Sequence, residues 1–73
     1  MNRYGIKLEN TQGYRLIVKA TNEKGALNTF FYYMSMDEDH VMRSAYTAEE
    51  LSEYAIAKIF EAQQVSIVEE VTK

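Results

Sequence analysis

Two tetrapeptides of one form, Asn10-Thr11-Gln12-Gly13 and Asn22-Glu23-Lys24-Gly25, constrain the fold of this chain more than any other feature. Asparagine opening a type I turn, with glycine at the fourth position to take a left-handed backbone, is hairpin chemistry. The first turn sets a register in which Leu8 faces Leu16, Ile6 faces Val18 and Tyr4 faces Ala20. These even-numbered side chains share one face, as the two-residue strand period requires. On the opposite face Glu9 meets Arg15, a favourable cross-strand pair. The second turn pairs Val18 with Phe30, Leu16 with Tyr32 and Tyr14 with Met34, which adds a third strand.

A competing pattern runs through the same residues. Capped by Thr21, a helix would line up Ala26, Leu27, Phe30, Phe31 and Met34 as an apolar stripe and give a ββααβ order with residues 22–36 helical. Gly25 in the first turn and the run Thr29-Phe30-Phe31-Tyr32-Tyr33 both weigh toward strand, which is the expectation, with the helix as its alternative.

Further on, Thr47 as N-cap and Glu50 three residues later form a capping box. It opens a helix from about Ala48 to Ala62 with Leu51, Ala55, Ile59 and Ala62 on one side. Val65 to Val68 reads as a short final strand, and Val41 to Ala45 as another, reached through the turn Asp37 to His40. The expected fold is α+β: an antiparallel β-meander or hairpin sheet, packed on its even face by one capped helix from the C-terminal half.

With 73 residues, 47% hydrophobic and 26% charged, residues 1–73 make one globular domain. A core of this size buries only about 60% of the unfolded surface. A large enclosed substrate cavity is therefore not expected, whereas homodimerisation or docking on a partner is. The chain has no cysteine, which excludes disulfides, thiolate nucleophiles and thiolate zinc sites. The first seven residues are charged and alternating, unlike a signal peptide, and no apolar run reaches membrane-spanning length. A cytoplasmic location without membrane association is the expectation.

Asp37, Asp39 and His40 carry metal-ligating groups, but this loop lacks the glycine and terminal glutamate of a calcium site, so a solvated turn with no metal is expected. One histidine and scattered carboxylates offer no nucleophile and base pair. The chain reads as a non-enzyme without cofactors.

Charge divides into two candidate surfaces. On the odd face of the sheet, Arg3, Lys7, Arg15 and Lys19 interleave with Ile17, Phe31 and Tyr33, a pattern suited to tracking phosphates and stacking bases of single-stranded nucleic acid. The net charge of −3 counts against a dedicated nucleic-acid binder. Asp37, Glu38, Asp39, Glu49, Glu50 and Glu53 form an acidic counterpart, with Phe60 as an aromatic anchor at its margin. Such a surface suits a basic groove on a protein partner.

An acidic chain without cysteine, whose short-turned hairpin or meander leads into Tyr46-Thr47-Ala48-Glu49-Glu50-Leu51-Ser52-Glu53-Tyr54-Ala55, resembles the small orphan proteins of phages and mobile elements, anti-CRISPR proteins among them. The resemblance implies a non-catalytic inhibitor that binds a host protein or nucleoprotein complex and occludes its working surface. The functional expectation is thus a small protein-binding module. A nucleic-acid-binding module and an oligomerising structural subunit are the alternatives.

Overall fold

The computed structural model describes residues 1–71. Its elements are β1 (Asn2–Leu8), β2 (Leu16–Ala20), α1 (Glu23–Tyr33), a 3-10 turn (Arg43–Ala45), β3 (Tyr46–Leu51), α2 (Glu53–Ala62) and β4 (Ile67–Glu69). The fold is α+β, and the four strands lie in the order β3-β1-β2-β4. β1 is antiparallel to both of its neighbours, while β4 runs parallel to β2, so the sheet is mixed rather than an antiparallel meander.

The first hairpin keeps its predicted face but not its register. Tyr4 pairs with Val18 and Ile6 with Leu16, a slip of two residues from the expected alignment. A slip of two preserves which side chains share a face. The cause lies in the turn, which is longer than a tight hairpin because Asn10 and Gly13 both take left-handed backbone at φ 64° and 87°. Arg15 donates its N–H to the Ile6 carbonyl at 2.7 Å, one residue ahead of the paired Leu16. The Glu9–Arg15 pair is therefore not formed, and Tyr14 turns to the odd face, where its ring lies over Gly5. A Cβ on Gly5 would stand 2.5 Å from Tyr14 Cδ1 and 2.8 Å from Leu51 Cδ1, so only glycine admits the ring there.

The second tetrapeptide is a helix start, which overturns the turn expected at residues 22–25 and the strand expected after it, and places a helix where the alternative reading had one. Asn22, not Thr21, is the N-cap: its Oδ1 accepts the Gly25 N–H at 2.8 Å. Thr29, a poor helix former by propensity, donates its hydroxyl to the Gly25 carbonyl and accepts the Val71 N–H, so burial leaves no polar atom unpaired. The Glu70 carboxylate accepts from both the N–H and the hydroxyl of Thr21 just ahead of the helix. Bonds to residues more than 40 positions away thus favour the helix, and local propensity cannot report them.

Three further expectations are corrected. Tyr46 to Leu51 is an edge strand on β1, where Ala48 to Leu51 were expected to be the first turn of the helix, so the Thr47–Glu50 capping box does not form. α2 begins at Glu53 instead, capped by Ser52, whose Oγ accepts the Ala55 N–H at 3.1 Å. Val41 to Ala45 is not a strand, since Arg43–Ala45 forms a single 3-10 turn. The final strand is Ile67–Glu69, close to its expected place.

The helix on the even face is α1. Ala26, Phe30 and Phe31 pack there against Tyr4, Ile6, Leu16, Val18 and Ala20. α2 covers the odd face, where Ile17, expected to be open to solvent, is fully buried outside that cluster, and where Ile56 is also buried. Topology accounts for the division. β2, β3 and β4 are mutually parallel, so both helices are crossovers, one passing over β1 toward β3 and the other returning across the sheet toward β4. Crossovers share one hand, and reversing the direction of travel then places the second helix on the opposite face. Among the described residues no helix is long and apolar enough to cross a membrane.

Candidate functional site

The end of α1 and the segment after it form the most distinctive surface. α1 stops in a Schellman arrangement: Ser35 takes φ 55°, its N–H reaches the Tyr32 carbonyl at 3.2 Å, and the Met36 N–H reaches the Phe31 carbonyl at 2.9 Å. Met36 then packs against the core cluster that holds Phe31, the apolar contact that accompanies this motif. Asp37 to His40 closes as the expected turn, with the His40 N–H on the Asp37 carbonyl at 2.9 Å, and His40 Nδ1 in turn accepts the Met42 N–H at 3.1 Å. Arg43 folds back so that its guanidinium lies 4.3 Å from the centre of the Phe31 ring.

This arrangement encloses an open groove of about 740 Å³ between α1 and the loop, lined by Phe31, Tyr32, Met36, Asp37, Glu38 and Arg43 among others. Among the described residues, five of the nine exposed large hydrophobic ones, Tyr32, Tyr33, Met34, Val41 and Met42, fall in residues 32–42, and Val41 is 85% exposed. Asp37, Glu38 and Asp39 lie between them, all exposed, and no salt bridge among the described residues engages them. The segment thus sets exposed apolar and aromatic side chains around three exposed acids and is pinned by consecutive turns. Among the described residues no three of His, Asp and Glu converge closely enough to hold a metal ion.

The remaining acidic residues of the expected surface are elsewhere. Glu49 is on the odd face, where its carboxylate takes the Lys7 ammonium at 3.0 Å and the Tyr14 hydroxyl at 3.1 Å. The Lys7 hydrogen bond, then that of Tyr14, holds the Glu49 carboxyl below its ordinary pKa. The same hydrogen bond raises Lys7, and Tyr14 is raised first by desolvation and then by its bond to Glu49. Glu53, in the first turn of α2, pairs with Arg3 at 3.6 Å, while Glu50 is exposed on β3. Phe60 is 46% exposed on α2. The acidic surface is therefore two surfaces: residues 37–39 beside Tyr32 and Tyr33 at the end of α1, and Glu49, Glu50 and Glu53 on β3 and α2, where Tyr54 and Phe60 are the exposed aromatics.

The basic surface is not assembled as expected either. Arg3 and Lys7 are paired with carboxylates, Lys19 stands opposite Glu69 in the register, and Arg15 lies just ahead of β2. Phe31 and Tyr33 belong to α1, on the other side of the sheet, and Phe31 is buried. Sequence reasoning missed Gln63, whose amide grips the Tyr14 backbone in both directions, oxygen to N–H and nitrogen to carbonyl, at 2.9 Å each. A lone glutamine at a helix end carries no signal for this. Comparison with protein-family models, curated proteins and solved structures returns no match to this chain.

Proposed function

We propose that this chain is a non-catalytic protein-binding module whose working surface is the acidic and aromatic end of α1, residues 32–43. The observation that carries the reading is the concentration of five exposed large hydrophobic residues around Asp37, Glu38 and Asp39 in one turn-pinned segment. Aromatic and methionine side chains supply contact area, and the carboxylates steer a basic partner surface into place. In its concrete form the proposal is an inhibitor of the phage type, anti-CRISPR-like in action, that occludes a basic working surface of a host protein or nucleoprotein complex. The nucleic-acid alternative has less support, because Arg3 and Lys7 are paired with carboxylates and the aromatic rings assigned to it lie in a different layer.

A pull-down from the source cell, with and without nuclease, tests the proposal. A co-purifying protein that survives nuclease and is lost with the double reversal Asp37→Lys, Glu38→Lys supports it. Loss of all binding on nuclease treatment, or retention of the partner by the double variant, overturns it.

A further inference from the structure

We propose that the outer edge of β3 pairs with the same edge of a second copy of this chain, antiparallel and centred on Ala48. Such pairing joins the two sheets through their β3 strands. β3 is an edge strand with β1 as its one neighbour. The direction of its backbone groups follows from a single bond: the Glu9 N–H reaches the Ala45 carbonyl at 2.7 Å, in line with the β1–β3 register. Antiparallel ladders alternate, so Thr47, Glu49 and Leu51 turn their N–H and C=O groups toward β1, whereas Tyr46, Ala48 and Glu50 turn theirs outward. The far side of the sheet obeys the same phase, since β2 bonds to the β4 segment through Ile17 N–H and the Lys19 carbonyl, both odd-numbered. One outward group is taken, the Tyr46 N–H, which bonds the Arg43 carbonyl.

An outward row of this kind is a template for strand addition unless something blocks it. β3 contains no proline, and its charged residues, Glu49 and Glu50, are what select the register. Centred on Ala48, self-pairing sets Ala48 against Ala48 of the second copy, Tyr46 against Glu50 and Thr47 against Glu49. Each carboxylate then meets a hydroxyl-bearing residue and no like charges are opposed. Sliding one step toward Leu51 sets Glu49 against Glu49. Sliding the other way runs into the Arg43–Ala45 turn, where strand geometry ends. The unused Tyr46 N–H costs little, because the Tyr46 carbonyl still accepts the Glu50 N–H of the other copy. β4, the opposite edge, has three residues and offers no comparable length.

The test is sedimentation equilibrium of the full chain from micromolar to millimolar concentration, with the expectation of a monomer–dimer equilibrium. Ala48→Pro removes an N–H that points away from β1, so it breaks no bond within the monomer and is expected to leave a folded monomer. Thr47→Glu lies beside Lys7 in its own sheet but opposite Glu49 of the second copy, twice per dimer by symmetry. It is expected to weaken dimerisation about tenfold while keeping the thermal transition. Should Ala48→Pro unfold, Thr47→Glu decides alone. A wild-type chain that stays monomeric at millimolar concentration overturns the proposal, as does self-association that Thr47→Glu leaves unchanged.

Discussion

The two faces of the sheet are held by different physics. Under α1, apolar side chains interdigitate: Phe30 is 1% exposed, its ring centre is 4.7 Å from that of Tyr46, and Ile6 and Val18 are fully buried beneath. Under α2, Ile56 is the one buried residue of the helix, and the layer is tied down instead by Gln63 on the Tyr14 backbone and by the Lys7–Glu49–Tyr14 cluster. Close packing does not depend on protonation, whereas the hydrogen bonds of the Lys7–Glu49–Tyr14 cluster do. The comparison makes α1 the more closely packed layer, next to residues 32–43, and predicts that α2 opens first.

The sharpest way to break this contrast is truncation on each side. Phe30→Ala removes a ring from a close-packed site and is expected to cost about 3–5 kcal/mol. A domain of this length has about 4–11 kcal/mol in total, so the loss is a large share of its stability and unfolds the variant at the lower end of that range. Ile56→Ala should fall near the lower end of the range for such substitutions, about 2 kcal/mol, because its surroundings can collapse into the space. Chemical denaturation of both variants measures the difference. Equal losses would mean that the α2 face is packed as tightly as the other.

Gln63→Ala sharpens the comparison by removing only the clamp. Two hydrogen bonds to a partly buried backbone are lost, at about 1–2 kcal/mol together. Amide exchange should accelerate in α2 and around Tyr14 while α1 keeps its protection, since regions open as separate units. Acceleration of both helices alike would show that the layers open as one.

Dependence on pH follows from the same cluster. Glu49 has a lowered pKa in the folded chain, so its contribution is present above the ordinary value of 4.5 and is lost as pH falls through the folded one. Lys7 and Tyr14 are raised, so theirs are present below the ordinary values of 10.5 and 10.0 and are lost as pH climbs through the folded ones. Melting temperature should therefore be flat across neutral pH and decline at both ends. Glu49→Gln should lower the plateau and soften both limbs, because it uncouples Lys7 and Tyr14 at once. An unchanged profile in that variant would remove the cluster from the account of the α2 face.

What was legible in the sequence was periodic, and what was not was remote. Alternation places Tyr4, Ile6, Leu16, Val18 and Ala20 on one face even though the pairing slips by two, since a slip of two does not turn a side chain over. The body of the second helix and the Asp37–His40 turn follow from local chemistry and are found. α1 was visible only as the alternative reading, because its aromatic run suits a strand, while bonds from Val71 and Glu70 at the other end of the described chain reach Thr29 and Thr21. β3 was hidden because a capping box and an edge strand can share six residues, and only the open side of β1 decides between them. In the candidate site, residues 37–39 were visible as an acidic run. Their union with Tyr32, Met36 and Arg43 required the helix to end at Tyr33, which no local signal announced.

The smallest expected effect is at that helix end. Ser35 occupies a left-handed position that disfavours an L side chain by roughly 1–2 kcal/mol, part of which glycine would recover at the expense of a more flexible unfolded chain. Ser35→Gly should stabilise by about 0.5–1 kcal/mol in chemical denaturation, with the Schellman bonds to Tyr32 and Phe31 unchanged. Since Ser35 also lines the groove, its side chain can be separated from its backbone role by a second readout. If serine is kept only for lack of selection against mild strain, the glycine variant binds its partner as the wild type does. If stability rises while binding falls, the hydroxyl belongs to the recognition surface. That outcome would extend the contrast between the two faces, because the strain would lie in the more closely packed layer, beside the groove that the layer presents.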